Sequence, residues 1–311
     1  MSGSSTYILR KGHAYLSDLV DGNGAVTGYP GAYKGQTYYV NNVTGSTTGS
    51  GLSWDDAFST INAAITASEA YRLALLPATN VYYRNTIFIQ ATETDYDAVT
   101  AYPNYTDIIG LGADPRGNGS GIVVITGGAS SDACGGAAQR GNNWVNIQFE
   151  VIADGYWCFD STQTLRTRFI NCMFGASLAS MSTGGGFRAT GNSGGITFQH
   201  CHFGSNGVAR LPYGIYASAV TFNNCLIEDC TINAVTAGIY LTDCTASNTV
   251  IKHNYICSGT SVQLTTGIAA TVNEFIAENF ISATDAISGA TAANTVGNQV
   301  IDGSTAAREK A

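Results

Sequence analysis

Charged side chains are scarce in this chain. They make up 12% of its 311 residues, about half the share of an ordinary soluble domain. Basic residues are thinner still in the C-terminal part, where Lys252 is the only Lys or Arg between Leu211 and Ala307. A face that neutralises phosphates needs clustered cations, so nucleic acid is excluded as a partner of this half. No apolar run approaches the ~20 residues of a membrane-spanning helix, which excludes such a span. The segment "MSGSSTYILRKGHAYLSDL" lacks the apolar stretch of a signal peptide. The expectation is a soluble protein not exported by that route. The Asn-x-Thr/Ser triplets at Asn42, Asn104 and Asn118 then carry no glycan, and all eight cysteines are reduced. No Cys-x-x-Cys pair is present, so the cysteines do not read as a metal site. No cofactor is implied.

What is abundant is glycine (37 residues), with Ser, Thr, Asn and Ala, and a repeat. "FINCMF" (169–174), "FQHCHF" (198–203) and "FNNCLI" (222–227) share one template: apolar, two spacers, Cys, spacer, apolar. Ile251/Asn254/Ile256 and Ile276/Asn279/Ile281 continue it with Asn in place of Cys, and weaker copies stand around Ile147 and Asn298. The fourth positions step by 25, 29, 24, 29, 25 and 19 residues from 147 to 298. A second marker keeps phase: a glycine followed by an apolar residue at Gly186, Gly214, Gly238 and Gly267, 13 or 14 residues after each ladder residue. Helical repeats do not tolerate so much Gly, Thr and Asn, and leucine-rich spacing is absent. A period near 25 residues instead fits three short strands per coil, stacked on the next coil at about 4.8 Å. The sequence therefore predicts an all-β, right-handed parallel β-helix. Cys172, Cys201, Cys225, Asn254 and Asn279 are expected in one inward corner column. Cysteine packs there as a small buried residue, and asparagines bond along the stack.

An open coil exposes sheet edges that must be covered. "SWDDAFSTINAAITAS" predicts a capping helix over about 54–67, with Ser53 as its N-cap, Asp55 and Asp56 in its first turn, and an apolar stripe of Ala57, Phe58, Ile61, Ala64 and Ile65. "NTIFIQ" (85–90) reads as a strand, and "DIIGLG" and "GIVVITGG" as the first rung. The expected organisation is an arm over 1–37, a capping region over 38–106, the coil over 107–303 and a polar tail over 304–311.

"YYVNNVTGSTTGSGLSWDDAFSTINAAI" (38–65), followed by the strand and "IIGLG…VVITGG", resembles the opening of pectate-lyase-like β-helices, shared by bacteriophage tailspikes and related virion proteins. The resemblance spans about 38–303 and is a matter of pattern. It implies either a structural virion protein, such as a head decoration, or a tailspike-like depolymerase or glycan-binding fibre that meets a host surface glycan. The virion reading implies assembly in the host cytoplasm. Its anchor to a capsid or tail protein would be the arm with Arg10, Lys11 and His13, a trio whose ordinary reading is solvated charge.

Lyases of this group pair a basic residue with acidic columns, and hydrolases use two carboxylates. Arg166, Arg168, Arg188 and Arg210 are scattered in the sequence without a stacked acid cluster. The weak catalytic candidates are Glu228, Asp229 and Asp243, with the side chains of the adjacent pair expected to diverge; turn acids are the bland alternative. His200 and His253 share a column two rungs apart, too far for one metal ion. The position after the ladder residue is outward, and in the middle of the coil it is large: Met173, His202, Leu226, Tyr255 and Phe280. Such a stripe predicts a subunit interface of a homotrimer, unless a loop of the same chain covers it. Exposed Tyr or Trp at groove spacing would favour glycan binding, but Tyr213, Tyr216 and Tyr240 read equally as rung or turn residues.

Overall fold

In the computed structural model the described residues are 35–74, 84–117, 121–136, 138–178, 180–204, 211–242, 244, 248–257, 264–269, 275–288, 295–301 and 307–310. They form a parallel β-helix of about 7 turns with one α-helix near the N-terminal end. Arg10, Lys11, His13, Arg210 and Asp243 lie outside them.

Each full rung runs through three sheets and, in the middle of the coil, a short fourth. Sheet A has ten strands, from Thr37–Val40 and Asn85–Gln90 through Arg168–Ile170 and Leu226–Glu228 to Thr295–Val296. Sheet B follows the ladder corner, with Gln148–Val151, Met173–Ala176, His202–Phe203 and Tyr255–Cys257 among its strands. Sheet C includes Trp157–Ser161, Gly185–Ala189 and Leu211–Ser218. Sheet D stacks Gln139–Arg140, Thr164–Leu165, Ser193–Gly194 and Phe222–Asn223 at the corner that leads back to sheet A. Farther along, single strands such as Thr231–Thr242 run through both B and C, which merges those two sheets.

Alternation along each strand sends one set of side chains inward. In the early rungs these are aromatic and stack one above another. Phe169 lies 5.0 Å from Phe198 at 9°, Phe174 lies 4.5 Å from Phe203 at 4°, and Phe159 lies 5.8 Å from Phe187 at 21°. The same columns continue as Ile227, Ile232 and Ile239, all fully buried. Like side chains on successive rungs thus fill a prism of constant section.

Two corners give the coil its turns, and both use the left-handed backbone region. Before the ladder residue stand Asn146, Asn171, His200, Asp229, His253 and Glu278, all with φ between 53° and 58°. At the D-to-A corner stand Gly141, Arg166, Gly195, Asn224 and Asn248, again with positive φ. Asn and Asp tolerate this region better than most residues, which explains the Asn-Cys and Asp-Cys pairs of the sequence.

The ladder is present, with one correction of register. Phe198 pairs with Ile227, and Phe203 with Ile232. The fourth rung therefore presents "IEDCTI" (227–232), not "FNNCLI", and its ladder residue is Cys230. Cys225 lies five residues earlier at the D-to-A corner, where its amide donates to Thr249 Oγ1 at 3.4 Å. Both hexapeptides satisfy the template, and strand pairing decides between them.

The cysteines in the column act as small versions of the asparagines that follow. Asn279 Nδ2 donates to the Ile251 carbonyl at 3.0 Å, and its Oδ1 accepts the Asn254 amide at 2.9 Å. In the earlier rungs Cys172 Sγ donates to the Trp144 carbonyl at 3.3 Å and Cys201 Sγ to the Phe169 carbonyl at 3.3 Å. These carbonyls correspond to that of Ile251. All eight cysteines are buried and unbridged, and burial pushes the Cys172 and Cys230 thiols well above their ordinary range.

At the N-terminal end the helix starts later than the sequence suggests. Trp54–Asp56 form a single 3-10 turn in which Ser53 makes no side-chain cap. The α-helix, α1, spans Ile61–Ala74. Its cap is Thr60, whose Oγ1 accepts the Ala63 amide at 3.2 Å. Phe58 cannot be helical because it bridges Val40 and Ser46 in extended form. Ile61, Ala64 and Ile65 do turn inward from α1. Sheet A already begins at Thr37–Val40, beside Asn85–Gln90. At the other end, Ala307–Lys310, expected as polar tail, pairs antiparallel with Asn298–Ile301.

Candidate functional site

The outer surface of sheet C carries an aromatic platform assembled from four rungs. Strand register places Trp157, Gly185, Tyr213 and Ala237 in one outward column. Beside it run Gly135, Asp160, Arg188, Tyr216 and Tyr240. Gly185 is what lets the first column function: a Cβ there would stand 2.7 Å from the Trp157 ring. With no side chain in the way, the indole lies over this rung and stacks on Tyr213 at 6.2 Å and 21°. Tyr216 and Tyr240 are parallel, 5.1 Å apart at 4°, and Tyr213 packs edge-on against Tyr216 at 5.0 Å. The three tyrosines are half-buried, so part of each ring faces solvent. Burial, with the neighbouring phenols adding to it, raises the Tyr213 pKa.

Polar groups of fixed geometry border the rings. Arg188 holds Asp160 through both oxygens, Nε to Oδ1 at 2.9 Å and Nη2 to Oδ2 at 2.6 Å. Its guanidinium also lies 5.1 Å from the centre of the Trp157 ring, a cation–π contact. Asp132 Oδ1 accepts the Trp157 amide at 2.7 Å, and its Oδ2 lies next to Gly135, the register partner of Asp160. Burial, and then the charge of Asp160, push the Asp132 carboxyl above its ordinary value. One carboxylate is thus committed to an arginine while its neighbour accepts a backbone amide. Partly exposed rings bordered by directional hydrogen-bonding groups match a ligand with apolar C–H surface and an edge of hydroxyls.

The weak catalytic candidates lie elsewhere. Glu228 and Asp229 stand at the ladder corner and, contrary to expectation, do not diverge: their oxygens come within 4.0 and 3.8 Å of His253 Nδ1. The cluster is consumed by its own pairing. Lys252 Nζ lies 2.5 Å from Glu228 Oε1, and His253 Nε2 lies 2.5 Å from Glu278 Oε2. Among the described residues no group of three or more His, Cys, Asp or Glu is arranged to hold a metal ion.

The outward stripe is also revised. The residues in register are Gln148, Met173, His202, Thr231, Tyr255 and Phe280. Leu226 belongs to sheet A, in a column of its own with Val250 and Phe275. Met173 is buried at 5% exposure. A segment of the same chain reaches this part of the stripe: Asn146 Nδ2 donates to the Gly112 carbonyl at 3.3 Å. The Arg116 charge from this segment, after burial, helps to lower the His202 pKa. Tyr255 remains 48% exposed and stacks on Phe280 at 4.8 Å.

Sequence reasoning named the three tyrosines and left Trp157 and Asp132 aside. The readable signal was Gly185 within "GGG" (184–186), a run longer than a corner requires. The geometry defines the class as a parallel β-helix protein with an aromatic outer face. Searches against protein-family models, curated proteins and solved structures find no match for this chain.

Proposed function

We propose that this protein is a rigid β-helical glycan-binding protein, of the kind a virion fibre would use, that takes a saccharide on the outer surface of sheet C. The observation that carries the reading is the half-buried stack of Tyr213, Tyr216 and Tyr240 on the outer surface of sheet C, packed on the buried Trp157. Sugar rings present C–H faces that pack on aromatic rings, and Asp132, Asp160 and Arg188 supply the polar border. For the depolymerase form of this reading, Asp132 and Asp160 are the carboxylates that border the platform. The test is a glycan array followed by calorimetry on the saccharide retained. Tyr216→Ala/Tyr240→Ala should lose at least about tenfold in affinity, as expected for ring contacts worth ~1.4 kcal/mol or more, while the urea midpoint stays close to wild type. Retention of full affinity in the double variant would sink the assignment.

A second reading, the homotrimeric virion decoration protein, is favoured by the apolar corner late in the coil. Tyr255 and Phe280 on sheet B, and Leu226, Val250 and Phe275 on sheet A, flank one edge of the prism. Phe275 is 46% exposed. An identical coil is the simplest cover for such an edge. Light scattering should then give three chain masses for wild type and one for Phe275→Asp/Phe280→Asp. A monomeric wild type rejects this reading and leaves the first untouched.

A further inference from the structure

We propose that the groove along sheet D is a binding site for a phosphoryl group, separate from the platform on sheet C. The groove has a volume of about 610 Å³, and its lining includes Arg140, Arg166, Gln163, Asn192 and Asn224. None of the residues that form it is acidic. Arg140 and Arg166 come from successive rungs, since Arg140 pairs with Leu165. Arg168 follows two residues on, at the start of its sheet A strand.

The charge balance singles these arginines out. The chain carries a net charge of −8. Among the Lys and Arg whose side chains are described, Arg72, Arg84, Arg116, Arg188 and Lys252 are each ion-paired. Arg140, Arg166 and Arg168 have no carboxylate within ion-pair distance among the described residues, and all three are exposed. Asp107 is the acid of the same sheet A column as Arg168. It is taken up by Arg84 and by Asn143.

The amides of the groove point to the same ligand. Asn192 Oδ1 accepts the Thr221 amide at 3.1 Å, and Asn224 Oδ1 accepts from Asn248 Nδ2 at 3.2 Å. With their oxygens engaged, both side chains have NH2 groups to offer. The site is therefore rich in donors: two guanidinium groups and two amides. Rungs about 4.8 Å apart let two guanidinium forks converge on one tetrahedral group. A phosphoryl group carries roughly 1.5–2 negative charges and three acceptor oxygens. A single carboxylate neutralises only one arginine. The corner also holds Arg166 at φ 51°, where other rungs use Gly141, Gly195, Asn224 and Asn248. The left-handed position costs a non-glycine residue free energy.

The phosphoryl group can be free phosphate or part of a phosphorylated saccharide, and calorimetry at low ionic strength separates the two. Sodium phosphate, glucose 6-phosphate, glucose and sodium acetate are titrated into the whole protein and into Arg140→Gln/Arg166→Asn. Asn fits the backbone of that corner in other rungs, so the variant keeps its fold; an unchanged urea midpoint verifies this. The expected result is binding of both phosphates and at least about tenfold weaker binding of acetate and of either phosphate to the variant. Arg116→Gln, whose arginine lies outside the groove, should match wild type. Tighter binding of glucose 6-phosphate than of phosphate identifies a phosphorylated saccharide, and equal binding identifies free phosphate. The proposal is overturned if acetate binds as well as phosphate, if the double variant binds like wild type, or if neither phosphate binds. Each of these outcomes is independent of the tyrosine platform, which Tyr216→Ala/Tyr240→Ala tests alone.

Discussion

Replacing Asn279 by alanine tests the ladder most directly. The side chain is 1% exposed and takes part in four hydrogen bonds. Oδ1 accepts the amide and the Nδ2 of Asn254, both at 2.9 Å. Nδ2 donates to the Ile251 carbonyl and to Asn298 Oδ1, both at 3.0 Å. Two of the four partners keep other bonds: Asn254 Nδ2 still donates to the Ile227 carbonyl, and Asn298 Oδ1 still accepts the Asn279 amide. The Asn254 amide and the Ile251 carbonyl lose the bonds that this side chain supplies. The Ile251 carbonyl stays in the parallel pairing of its strand with Phe275–Ala277, so one buried group, the Asn254 amide, is orphaned and Asn279→Ala should lose about 1–3 kcal/mol. Asn279→Cys should lose less, because a thiol can make weaker versions of both contacts, as in the cysteine rungs. Equilibrium urea unfolding followed by circular dichroism measures both. A loss below about 0.5 kcal/mol, typical of a surface change, refutes the ladder as a source of stability. A cysteine variant no better than alanine refutes the equivalence of the two residue types.

Two further outcomes concern pH. Burial, followed by the Arg116 charge, lowers the His202 pKa from 6.5, so the folded state favours the neutral ring. The unfolded chain takes up its proton first as pH falls, and stability is lost from about 6.5 down through the folded value. His202→Met should reduce that loss, as read from urea midpoints between neutral and mildly acidic pH; an unchanged profile contradicts the assignment. Asp132 has the opposite sign. Its raised folded pKa means that stability declines as pH rises from 3.8 through the folded value, and the cost is complete at neutral pH. Asp132→Asn keeps an acceptor for the Trp157 amide, so it should stabilise the protein at neutral pH and match wild type below 3.8; a destabilised variant at neutral pH counts against it.

Much of the fold was legible because a coil repeats its chemistry. The columns Cys172–Cys201 and Asn254–Asn279, the phased glycines and the strand at 85–90 all follow from spacing. The error at Cys225 arose where two overlapping hexapeptides satisfied one template, and only the hydrogen-bonded register of Ile227 against Phe198 distinguishes them. The start of α1 was misplaced because Ser53 and two aspartates form a good capping signal, while the bridge from Phe58 to Val40 holds that stretch extended. The platform was harder to see. Its rings come from residues 157, 213, 216 and 240, and they meet because Gly185 leaves a gap between two rungs. A missing side chain is a weak sign in a chain with 37 glycines.

The antiparallel strand Ala307–Lys310 has a consequence for how copies of this protein meet. A β-helix is in principle an open template, since a second copy could stack on its last rung and begin a fibre. Such growth needs the slanted, evenly spaced hydrogen bonds of a parallel pair. An antiparallel strand presents bonds perpendicular to the strands, in alternating narrow and wide pairs. On sheet B, a further coil running in the same direction as the others would lie antiparallel to this strand, so it could join only by an antiparallel ladder, unlike the parallel one that builds the rest of the sheet. One reversed strand therefore interrupts the parallel stacking of sheet B beside Asn298–Ile301.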